Sequence, residues 1–151
     1  MRYWLQLGLA LLVVAYCWRK GGQPERAAAT VLPMMYLLDP IYHAIWGQVT
    51  TYDRINLGHL VIDTAALMAF GAIALRANRL WTIWLASAQL IAVLSHFLRG
   101  IAPMNPWVYA AMNRGPSWLG IALLFAGTAL YQRRLKRSRQ PLPRFSGPSS
   151  G

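Results

Sequence analysis

Acidic residues are almost missing from this chain. Only Glu25, Asp39, Asp53 and Asp63 carry a carboxylate among 151 residues, against fifteen Lys and Arg, for a net charge of +11. Charged residues of both signs make up 13%, about half the roughly 25% of an ordinary soluble domain. Cysteine is nearly absent too. Cys17 stands alone, which excludes an intramolecular disulfide and a thiolate zinc cage. The sequence holds no HExxH and no CxxC motif. With 56% apolar residues, a soluble domain of this length would have too little polar surface to cover itself.

The apolar residues fall into five runs, at 3–18, 27–46, 58–75, 80–98 and 117–132. A helix needs about 20 apolar residues to cross a bilayer core of ~30 Å. The middle runs reach that length, and the first and last need their flanks or local thinning. Trp4, Trp18, Trp46, Trp81, Trp84, Trp107 and Trp118 fall at or near run ends, as in an interfacial aromatic belt. The pattern predicts an all-α, polytopic membrane bundle of five transmembrane helices over residues 1–132, or four if the first run does not span. The first run has Arg2 before it but no small-x-small cleavage pattern, so it reads as a retained helix rather than a signal peptide.

Basic residues orient the chain. With the C-terminus inside, the inner segments hold eleven Lys and Arg, from Arg19 and Lys20 to the Arg133–Arg144 cluster. The outer segments hold four: Arg2, Arg54, Arg99 and Arg114. This bias predicts N-out, C-in with five spans. The Arg-over-Lys preference suggests a GC-rich bacterial genome and hence a bacterial inner membrane. A charge of +11 suggests nucleic acid in a soluble chain, but here it is topogenic, and no nucleic-acid partner is expected. Residues 133–151 read as a basic, irregular cytoplasmic tail held near anionic headgroups, the last six resembling an expression scar. The connection 99–116 contains Pro103, Asn105 and Pro106 before the apolar 107–112. It predicts a short outer re-entrant or interfacial helix with Pro106 in its first turn.

Ionisable residues inside membrane helices are costly and mark function or pairing. Run two holds Asp39 and His43, run three His59 and Asp63, run four His96. Each of the first two pairs is spaced i, i+4 and shares a helix face. At 1.5 Å per residue, His43 lies ~4–5 Å below its outer run end, Asp39 ~10 Å, His59 ~1–2 Å, Asp63 ~7–8 Å and His96 ~3 Å. All five therefore fall in the outer half. Arg99 follows His96 by three residues, and Gln89 lies two turns below it. Pro40 frees the carbonyl of Tyr36 to line a cavity. Ala66 and Ala69 let a neighbouring helix close on the His59/Asp63 face.

Four readings of this cluster stand at this point. His43, His59, His96, Asp39 and Asp63 can form a metal site, with Arg99 behind it, for Zn²⁺ or a similar ion that activates water. Two histidines can hold haem b, which the buried aspartates disfavour. Asp39 and Asp63 can belong to a proton or ion path. The groups can also pair among themselves and fix helix register, as in a non-enzymatic accessory subunit of a larger membrane complex. Cys17 reads as lipid-facing or packed. Glu25 with Arg26, and Asp53 with Arg54, read as solvated pairs.

Overall fold

In the computed structural model, residues 2–46, 57–101 and 105–138 are described. They form α1 (Arg2–Lys20), α2 (Gln23–Trp46), α3 (Leu57–Ala77), α4 (Leu80–Ile101) and α5 (Pro106–Ser138), with no strand among the described residues. Asp53, Arg54 and the end of the tail lie outside those residues.

The local chemistry explains the ends. Glu25 Oε2 accepts the Gly22 N–H at 3.1 Å, so the third helical position reaches back to the cap, half of a capping box. The α3–α4 turn passes through Asn78 at φ 47°, a left-handed conformation that asparagine tolerates better than most residues. Thr82 then closes α4's first turn, its N–H and Oγ1 both donating to the Arg79 carbonyl. At the start of α5, Asn105 Oδ1 accepts the Trp107 N–H at 3.0 Å, with Pro106 at the first helical position as expected.

Two expectations change here. The short outer helix is not separate: α5 runs without a break from Pro106 through Pro116 to Ser138. A proline inside a helix removes one backbone hydrogen bond and kinks or breaks many helices, but Pro116 does not end this one. Pro33 and Pro40 are likewise absorbed within α2. The tail is also shorter than read, because Arg133, Arg134, Lys136 and Arg137 belong to α5.

Helices adjacent in sequence pack together, and α5 closes the bundle against both α1 and α2. Among the described residues the backbones of α2 and α4 are not close neighbours, and α3 packs against both. The core joins Ala10, Val13 and Cys17 of α1 to Ala28, Ala29 and Leu32 of α2. Phe70, Trp81, Leu85, Ile121 and Leu124 fill it from the other helices. Small residues let helices approach closely where lipid and core are equally apolar, and Ala66 is buried as its position predicts.

Many large apolar side chains lie on the outside. Leu57–Ala77 and Leu80–Leu98 are long and apolar enough to cross a membrane, and only 11% of the first window is buried in the chain. Val61, Met68 and Leu75 on α3 are exposed, as are Leu9, Leu11 and Leu12 on α1. Trp4, Trp18, Trp84, Trp107 and Trp118 also point outward, whereas Trp81 is buried. Contiguous exposed apolar surface of this extent marks a membrane or partner surface.

Candidate functional site

The polar centre is built on α3 and α4. Asp63 Oδ2 lies 2.9 Å from His96 Nε2, and Gln89 Nε2 donates to Asp63 Oδ1 at 3.0 Å and to the Asp63 carbonyl at 3.2 Å. Gln89 and His96 are seven residues apart, so two α-helical turns bring both to one face of α4. Both are buried, and Asp63 is 15% exposed. The carboxylate is thus gripped on each oxygen by α4.

His43 and His59 form a second group. Their ring centroids are 5.1 Å apart, and the Tyr42 ring sits edge-on to both, at 5.4 and 5.7 Å. Gly58 makes this contact possible: a Cβ there would lie 2.1 Å from the Tyr42 ring. Gly58→Ala should therefore push Tyr42 off His59 and lower thermal stability by ~1–2 kcal/mol. A melting curve in detergent measures it, and an unchanged melt would mean that the ring relaxes at no cost.

The groups meet at a cavity of about 190 Å³ where α2, α3, α4 and α5 converge. Its polar wall is Tyr36, His59, Asp63, Gln89 and Ser117. Leu32, Met35, Phe70 and Leu85 are among its apolar walls. Gln6 of α1 fixes Tyr36 from behind, donating to its hydroxyl at 2.8 Å. An ionised carboxylate has about four acceptor positions. Among the described residues Gln89 and His96 take two such positions at Asp63, and Asp63 is itself among the lining residues.

The five expected ligands are therefore divided. Of the four whose side chains are described, Asp63 joins His96, His43 joins His59, and His59 and Asp63 line the cavity. The side chains of Asp39 and Arg99 lie outside the described residues. Among the described residues no three His, Cys, Asp or Glu side chains come together to hold a metal. The reason is the order of helices: His43 on α2 and His96 on α4 are separated by α3. A cavity of 190 Å³ is also small beside the ~300–1,000 Å³ of pockets that take drug-sized ligands, so haem is not carried forward.

The sequence missed Tyr36, Tyr42 and Ser117 as side chains of the site, and Gln6 behind it. Gln89 was placed in the polar strip, and it bonds Asp63 directly. Glu25 is a correction: it is fully buried, while Arg26 turns away to bond the Gly21 carbonyl. Cys17 is packed, 3.1 Å from Thr128 Oγ1. No protein-family model matches the chain, and neither a characterised protein nor a solved structure shows significant similarity to it.

Proposed function

We propose that this chain is an integral membrane protein whose five helices cross the bilayer, N-terminus out and C-terminus in. In this reading it binds a divalent metal ion in the outer half of the bundle, at the cavity bordered by Asp63. The exposed apolar faces of α1 and α3 and the eleven-to-four bias of Lys and Arg support the topology. A bacterial inner membrane fits the Arg-rich composition.

One observation carries the binding reading. Asp63 is a carboxylate that lines a cavity, held by one described partner on each oxygen, and a carboxylate oxygen can accept more than one bond. His59 and the Tyr36 and Ser117 hydroxyls add nitrogen and oxygen donors around the same space. Such a mixed set suits a divalent ion that keeps some of its water, and water on such an ion becomes a nucleophile near neutral pH. His96 and Gln89 act by orienting Asp63, as partners behind a metal ligand do.

A second reading rests on the same bonds. Both Asp63 oxygens have partners on α4, so the centre also works as a clasp that fixes α3 against α4, as in an accessory membrane subunit. Elemental analysis separates the two. The protein is purified without a histidine tag after growth with added Zn²⁺ and Mn²⁺. About one ion per chain in the wild type, lost in Asp63→Asn and in His59→Ala, is the expected result. A metal-free wild type, or retention through both substitutions, sinks the metal reading and leaves the clasp.

A further inference from the structure

The inner end of the bundle carries a second concavity, far from Asp63. It lies between the first turn of α2 and the last turn of α3, has a volume of about 360 Å³, and is lined by Gln23, Pro24, Ala27, Ala72, Ile73 and Arg76 among others. Alanines form much of its wall, so the two helices leave a slot between their backbones rather than filling it. One wall is α3, whose apolar window is only 11% buried in the chain. Arg76 is one of the lining residues and is exposed.

The charge around the slot is one-sided. Arg19, Lys20, Arg26, Arg79 and the four basic residues at the end of α5 share this end of the bundle. The nearby acid, Glu25, is fully buried and gives one oxygen to the Gly22 N–H. It therefore offers no surface counter-charge. A slot lined largely by apolar residues, with an exposed arginine among them, matches a molecule with an acyl chain and an anionic head. Arg presents a planar fork of donors that fits phosphate oxygens.

We infer that this slot holds one anionic phospholipid of the inner leaflet, its phosphate on Arg76 and its acyl chain against Ala27, Ala72 and Ile73. The site rests on the membrane reading above but not on the metal centre. It differs from diffuse attraction of the basic end to a charged surface, because shape and charge are both required at one place.

Native mass spectrometry of the detergent-purified full chain tests it, with phosphatidylglycerol and phosphatidylcholine as probes. The wild type should retain one phosphatidylglycerol in preference to phosphatidylcholine. Arg76→Gln should reduce that preference about fivefold, the effect of one basic residue near an anionic lipid. Arg76→Lys should keep most of it. Ala72→Leu fills the slot without changing charge and should abolish retention of both lipids. Equal retention of the two lipids by the wild type overturns the site, as does an unchanged preference in Arg76→Gln or full retention in Ala72→Leu. A chain that stays soluble and monodisperse without detergent would instead overturn the membrane reading itself.

Discussion

Asp63→Ala should destabilise the protein by ~2–5 kcal/mol, the largest single effect we expect. Removing the carboxylate takes the partner from His96 Nε2 and from Gln89 Nε2, which are buried at 4% and 6% exposure. A buried polar group left without its partner costs ~1–3 kcal/mol, and two are left so here. Asp63→Asn keeps the shape and one acceptor oxygen, so it should cost less, ~1–2 kcal/mol. A third variant sharpens the result. Asp63→Leu with Gln89→Leu and His96→Leu replaces the network by apolar groups and should recover much of the loss, as apolar replacement of buried pairs often does. Denaturant unfolding in mixed micelles, followed by tryptophan fluorescence, measures all three. A loss below ~1 kcal/mol in Asp63→Ala would mean that the three side chains do not bind α3 to α4.

Gly127→Ala should be the second large effect, at ~1–3 kcal/mol. A Cβ at Gly127 would lie 2.7 Å from the Trp81 ring, which is 7% exposed and packed in the core. The indole cannot swing outward without opening the α4–α5 contact. The companion change Trp81→Leu removes the obstacle, so the double variant should lose less than the two single losses added. A double-mutant cycle on melting temperature reads this coupling. Simple additivity would show that α5 shifts to accept the methyl group.

These two positions illustrate what the sequence could and could not reveal. The five helices follow from five apolar runs, and the ends at Pro106 and Trp46 follow from local signals. The continuity of α5 does not. The stretch 99–116 reads as a connection and the fifth run starts at 117, yet one helix runs from Pro106 through Pro116. The polar start of α2 at Gln23 was likewise invisible to apolar counting. In the site, depth was legible because helices rise at a fixed 1.5 Å per residue. Asp63 and His96 meet as their depths allow. The angle of each helix about its own axis was not legible, nor was the order of neighbours. With α3 between α2 and α4, three histidines at one depth become two separate groups. Gly58 and Gly127 carry no signal in a single sequence. Their meaning lies in Tyr42 and Trp81, which come from other helices.

Placement of the centre in the outer half depends on the orientation of the whole bundle, so topology is the claim to test first. Two single-cysteine proteins in a Cys17→Ser background suffice, one with Asn105→Cys before α5 and one with Ser138→Cys at its end. Intact cells are treated with a membrane-impermeant maleimide, then permeabilised and treated again. The account predicts labelling at residue 105 from outside and at residue 138 only after permeabilisation. Labelling of residue 138 in intact cells, or of both residues alike before permeabilisation, would contradict it.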